Sequence, residues 1–246
     1  LLEGVRGQNK APGEFRKIPN WIGPPGCTME DAQYIPVSAE KLPEFMGRWE
    51  IFVHEPYPDV LEQLALLHAE FEDLHPFLDG NARLGRMMIP LYLWQRGLIQ
   101  RPMFYVSAYF EAHRDQYYDG LLAVSQDDNW TGWCQFFLEA IRIQAEDNLK
   151  KAQAILKLYE EMKNKLPQLT HSQFAIRALD WLFCQPIFNR STFINSSEIP
   201  RPTAHRILSV LEENNVLKVL VAGSGRRSAV LVFPRLLSIA EGKEIV

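Results

Sequence analysis

His75-Pro76-Phe77-Leu78-Asp79-Gly80-Asn81-Ala82-Arg83-Leu84-Gly85-Arg86 is the stretch whose reading decides the fold. It follows one amphipathic run and opens another. A histidine, with an ordinary pKa near ~6.5, serves as a base at neutral pH. Four residues on, Asp79 is a carboxylate suited to Mg²⁺, which prefers one or two carboxylates plus phosphate oxygens. Gly80-Asn81-Ala82 makes a tight turn at a helix start, where free backbone N–H groups and the helix dipole favour an anion. Arg83 and Arg86 share one face of the first helical turn and can fork onto phosphates. A surface turn with salt bridges would explain the charges, but not a histidine, an acid and two arginines in this register. The set describes handling of a nucleotide phosphate chain.

The stretch resembles the signature of the Fic family, H-x-F-x-[DE]-G-N-G-R-x-x-R, at every fixed position except one. Ala82 stands where glycine is usual. The resemblance implies a mainly α fold: a Fic-type helical core with a β-hairpin flap, here residues 1–165, followed by a second domain over 166–246. It also implies a protein adenylyltransferase, moving AMP from ATP to a Ser, Thr or Tyr hydroxyl of a target protein or of the chain itself. His75 would take the hydroxyl proton, and Asp79 would hold Mg²⁺ across the α- and β-phosphates. The 80–82 backbone and Asn81 would steady the α-phosphate, Arg83 the β- and Arg86 the γ-phosphate. Family members that transfer other groups, a phosphoryl group included, supply one alternative. A DNA-binding regulator with the core as nucleotide sensor supplies another, though binding alone does not need His75.

Working outward, residues 59–74 carry apolar residues at 60, 64, 67, 71 and 74, which is helix period, and this helix delivers His75. His68 reads as a packed core histidine and Phe77 as an anchor of the loop. The same period at 42, 45, 46, 49 and 53 predicts a helix over 38–53 with Ser38 as N-cap. Downstream a helix is expected from Asn81 to Trp94, kinked at Pro90 and stopped near Gly97. Residues 11–36, broken by Pro12-Gly13, Pro19 and Gly23-Pro24-Pro25-Gly26, read as short extended pieces in a hairpin-like flap. They resemble the Fic flap, which lies over the nucleotide and pairs with a target segment by strand addition. By that resemblance Ile22 and Gly23 sit closest to the nucleotide. A helix over 107–125 carries Tyr117-Tyr118, a pair that in Fic proteins borders the base. Tyr118 is then the packing partner, with Ser125 where the family often has asparagine, and ordinary core packing suits Tyr117 equally. A further helix begins near Asp128-Asn129 with an aromatic stripe read as core, and is expected to stop before Pro167.

Beyond Pro167 the texture changes. A helix over 171–184, a helix opened by Pro200-Arg201-Pro202-Thr203, strands over 216–221 and 228–233 and a turn at 223–227 resemble the winged helix found on many bacterial Fic proteins. Thr203–Asn214 would be its recognition helix. Arg201, His205, Arg206, Arg226 and Arg227 could meet DNA phosphates, or the domain could serve as a dimer or docking module.

The 246 residues carry a net charge of −4. From Pro167 onward nine Lys and Arg oppose six acids, +3, leaving 17 bases against 24 acids on the rest. That asymmetry suits a separate C-terminal domain with its own partner. No apolar run reaches the ~18 residues a membrane helix needs, so no membrane partner is expected. Three scattered cysteines fit reduced thiols in a cytoplasmic protein. Fic proteins are commonly restrained by a helix carrying [S/T]-x-x-x-E-[G/N]. Glu3-Gly4 lacks the preceding residues, and Ser209–Asn214 lies in the expected recognition helix on a solvated acidic face. The expectation is that the inhibitory segment lies upstream of Leu1.

Overall fold

The structure, a computed structural model of the chain, describes residues 10–24, 26–224 and 227–244. The chain packs as two compact units, Leu1–Glu146 and Asp147–Val246. They divide within one long helix, of which the sequence-derived boundary at 165/166 is a later point.

Unit 1 is helical: α1 (Leu42–His54), α2 (Val60–Leu74), α3 (Asn81–Gln95), α4 (Ser107–Ala112), α5 (Arg114–Asp127) and the start of α6 (Trp130–Thr170). α1 begins later than expected. Ser38 closes a preceding turn with its carbonyl, and Pro43 sits in the first helical turn, where a missing N–H costs nothing. α2 starts as read: the Asp59 carboxylate accepts from Leu61 N at 2.8 Å and Glu62 N at 3.1 Å. α3 runs through Pro90. The helix expected over 107–125 is two, parted at His113 (φ −119°, ψ 40°), whose ring stacks on Tyr109 at 4.0 Å. α6 passes Pro167 rather than stopping before it. A proline in the last turn forfeits one hydrogen bond, and the helix ends at Thr170 with His171 at φ 46°.

The core of unit 1 gathers Leu64, Ala65, Ile89, Phe110, Trp133 and Phe137 around His68. The flap does not form the expected hairpin. Among its described residues there is one antiparallel bridge, Ile22 to Tyr34. Pro19 and Pro24 lack the N–H that a longer ladder would need, and the neighbouring glycines weaken an extended strand.

Unit 2 continues with α7 (Ala175–Cys184), β1 (Ile187–Asn189), α8 (Arg190–Ser196), α9 (Arg201–Glu213), β2 (Lys218–Val221), β3 (Val230–Val232) and α10 (Pro234–Glu241). The antiparallel sheet has the order β1-β3-β2, with Leu231 opposite both Phe188 and Val219. β1, α8 and α10 had no counterpart in the sequence reading. The strands are shorter than read, and α7 begins four residues late. Leu208 and Leu211 face the core with Ile207 and Phe193, as their spacing requires. Glu212 departs from the solvated face assigned to it: both its oxygens accept from Arg190 Nη2, at 2.5 and 2.7 Å. Among the described residues no helix is long and apolar enough to cross a membrane.

Candidate active site

The end of α2 places His75. It is the C-cap of α2 in the left-handed region (φ 44°, ψ 58°), and its N–H still reaches Phe71 O at 3.2 Å. The ring is half-buried, with Nδ1 3.3 Å from Glu72 O. A carbonyl only accepts, so in the neutral ring Nδ1 bears the proton and Nε2 keeps its lone pair. Burial pushes the His75 pKa down to about 4, against the raising effect of the Glu72 carbonyl.

The left-handed cap needs support, and the flap supplies it. Arg16, 3% exposed, donates from Nε to His75 O (3.0 Å) and from Nη2 to Leu74 O (3.3 Å) and Val37 O. A cation on the last carbonyls of a helix also meets the negative end of its dipole. Asn20 Nδ2 donates to His75 O and Phe77 O at 3.4 and 3.3 Å, and Tyr34 Oη to Asp73 O at 3.1 Å. Phe77 packs on Phe15 with ring centroids 5.6 Å apart, so it anchors the loop as read.

Gly80 then turns the chain at φ 90°, a conformation that favours glycine, and caps α3. Asn81, 2% exposed, clasps the loop: its Oδ1 accepts from Phe77 N and its Nδ2 donates to Phe77 O, both at 2.8 Å. Its amide is thereby committed to the backbone, and the N–H groups of the first helical turn are what face an anion. Ala82 lies inside α3 with no positive φ, so its methyl group carries no backbone strain. Asp79 lies 3.5 Å from Arg83 Nη2. Asp79, Gly80, Phe77 and Leu84 line a cavity of about 210 Å³ with Lys10–Gly13.

No group of three or more His, Cys, Asp and Glu suited to a metal occurs among the described residues. Within the signature loop Asp79 is the carboxylate, a hard oxygen donor. That donor set fits a Mg²⁺ shared with phosphate oxygens, not a protein cage.

Arg86, half-buried on α3, lies within electrostatic reach of Glu72, His68 and Tyr117. Tyr117 is core, 4% exposed, with Oη 2.9 Å from His68 Nε2. Tyr118 is 46% exposed, edge-on to Tyr117 at 5.3 Å and under the Arg114 guanidinium. Ser125 lies two turns further along α5, its hydroxyl returned to Leu121 O and Leu122 O. Ile22 carries the flap bridge, and Gly23 lies where a Cβ would meet Cys27 Sγ at 2.7 Å.

Residues 1–93 match the Fic/DOC family. The Fic match spans the flap, α1, α2, the signature and most of α3, and ends before Tyr118 and Ser125. A solved structure, a Fic family protein from Desulfovibrio desulfuricans G20, aligns with 93% of this chain at 19% identity and a TM-score of 0.54. The chain spans 64% of that protein's length. At that identity the likeness concerns the fold, a mainly helical one.

Arg16, Asn20, Glu72 and Gly85 are the residues that sequence reasoning passed over. Gly85 occupies a variable position of the signature, yet a Cβ there would overlap Glu72 Oε1. A glycine one helical turn beyond the turn residues was the available signal.

In unit 2, Arg201 donates to Asn195 Oδ1 at 3.0 Å and Arg206 to Thr170 O at 2.7 Å. His205 and Arg227 are exposed. Arg226 lies outside the described residues.

Proposed function

We propose that unit 1 transfers AMP from ATP to a Ser, Thr or Tyr hydroxyl of a protein. The observation that carries this is the oriented, neutral His75 at the end of α2, with Asp79 in the loop that follows it and Arg83 and Arg86 on the first turns of α3. Nε2 removes the hydroxyl proton as the oxygen attacks the α-phosphorus, and the bond from that phosphorus to pyrophosphate breaks. The first N–H groups of α3 meet the α-phosphate. Arg83 turns from Asp79 toward the β-phosphate, and Arg86 meets the terminal phosphate, so charge on the leaving pyrophosphate is neutralised as it develops. When bound, Mg²⁺ would be held by Asp79 together with phosphate oxygens and would add positive charge there. The exposed edge at Ile22 and Gly23 would take the target backbone, and Tyr118 and Ser125 would border the base.

The test is labelling of the chain and of a cell lysate with ATP carrying label on the α- or the γ-phosphate, beside His75→Ala. Label from the α position only, lost in the variant, is the expected result. Label from the γ position only would make the reaction phosphoryl transfer, and bound ATP with no label would make the core a sensor.

We read unit 2 as a winged helix on the order α7, β1, α8, α9, β2, β3, with α9 as recognition helix and the turn after β2 as wing. Gel shift with duplex DNA at graded salt tests whether it binds nucleic acid.

A further inference from the structure

Pro76 follows His75 directly, and that pairing leaves the end of α2 short of a donor. A left-handed helix end is ordinarily closed in part by the N–H of the residue after the cap, and proline has none. A residue before proline is also pushed toward extended backbone, and the left-handed region favours glycine. His75 holds φ 44°, ψ 58° in spite of both. Such a conformation persists only where its surroundings over-determine it. Arg16 does most of that here, on three consecutive carbonyls. It donates from Nη2 to Leu74 O at 3.3 Å, from Nε to His75 O at 3.0 Å and from its backbone N–H to Pro76 O at 2.9 Å. Nη2 also meets Val37 O, and the side chain is buried. Among the described residues none of these acceptors is a carboxylate. Burying a guanidinium on neutral oxygens alone is costly, so the placement is a built one.

We infer that Arg16 is a positioning residue for the base: by fixing the His75 main chain in the left-handed cap it keeps Nδ1 on the Glu72 carbonyl and leaves Nε2 free for the hydroxyl proton. The role of the base rests on the transfer reading of the site, and the placement of the ring does not. Nδ1 lies 3.3 Å from Glu72 O, three residues back along the chain. A change in φ and ψ at His75 re-aims its Cα–Cβ bond and takes the ring off that carbonyl. The need for arginine follows from shape. Nε and Nη2 lie along different edges of one rigid plane and serve His75, Leu74 and Val37 together, whereas an ammonium is a single point.

The experiment compares the full chain with Arg16→Lys, which keeps the charge and loses the fork, and with Tyr34→Phe. The latter frees the flap from Asp73 O and touches no atom of His75. In label transfer from ATP, kcat is expected to fall by roughly tenfold to a hundredfold in Arg16→Lys, as for a reacting group slightly misplaced. The Kd of Mg–ATP is expected to stay as in the wild type, because the phosphate-facing groups belong to α3. Tyr34→Phe is expected to keep the wild-type kcat. An unchanged kcat in Arg16→Lys, or an equal loss in both variants, overturns the proposal. Arg16→Gln, which removes the buried charge, serves with the same expectation where Arg16→Lys does not fold.

A second measurement needs no nucleotide. Nitrogen NMR of the His75 ring at neutral pH reads which nitrogen bears the proton. An unrestrained imidazole side chain favours Nε2, so a proton on Nδ1 marks the held ring. It is expected on Nδ1 in the wild type and in Tyr34→Phe, and shifted toward Nε2 in the Arg16 variant. The same form in all three overturns the proposal whatever ATP does. If the proton shifts but no protein, the wild type included, transfers label, the transfer reading has failed, and the placement of the ring by Arg16 stands.

Discussion

At the scale of single residues, His75 and Ala82 each carry an expectation. His75 is neutral far into the acid range because burial disfavours its charged form. In the proposed transfer the neutral imidazole is the base, so kcat at saturating ATP is expected to stay nearly flat from pH 7.5 to 5.5. A histidine with its usual pKa would lose about nine-tenths of its neutral form over that span. A kcat midpoint near 6.5 would count against His75 as placed. The same depressed pKa links to stability. The contribution is complete above the unfolded value near ~6.5 and is lost as pH falls toward the folded one. Ala82 is the second residue. Its helical backbone asks nothing of glycine, so Ala82→Gly is expected to leave labelling activity within about twofold and to lower stability by about 0.5–1 kcal/mol, read from urea unfolding.

At the scale of elements, the seam between α2 and α3 carries the tightest constraint. Gly85→Ala forces the Glu72 carboxylate to move in a packed interior, at an expected cost of about 1–3 kcal/mol. In a Glu72→Ala background the same change is expected to cost clearly less, and a double-mutant cycle of urea midpoints reads the difference. Equal costs in the two backgrounds would show that the carboxylate is not what Gly85 makes room for. These two helices were legible in the sequence, since apolar residues at helix period run from Val60 to Leu74 and Asp59 is a plain cap. The signature loop was legible for its own reason: its chemistry is spelled in side chains. The break at His113 was not legible, because the apolar period continues across it and only the backbone angles change. Nor were β1 and α8, where three strand residues give no period and Arg190 continues without a breaker. The tie of Arg16 to Leu74 and His75 was hidden for a further reason. It joins residues 59 positions apart through carbonyl groups, which no letter of a sequence records.

At the scale of the molecule, the two units are chemically unlike, acidic body and mildly basic tail. If unit 2 grips duplex DNA through α9 and the turn after β2, each phosphate contact contributes about −0.9 to the slope of log K against log salt. Of the residues assigned to that face four are arginines, and Arg201 and Arg206 are engaged with Asn195 and Thr170. The expected slope is therefore about −2 rather than about −4. A slope near the steeper value would mean that both arginines release their partners on binding.

The flap is fastened to the end of α2 by Arg16, Asn20 and Tyr34, and every one of these side chains grips a main-chain carbonyl at positions 73 to 77. Such a fastening mostly reads the path of the chain rather than its lettering. Leu74 could be rewritten by a designer without loosening it, whereas Asp73 also meets Tyr34 through its carboxylate, so that there the flap reads the letter as well.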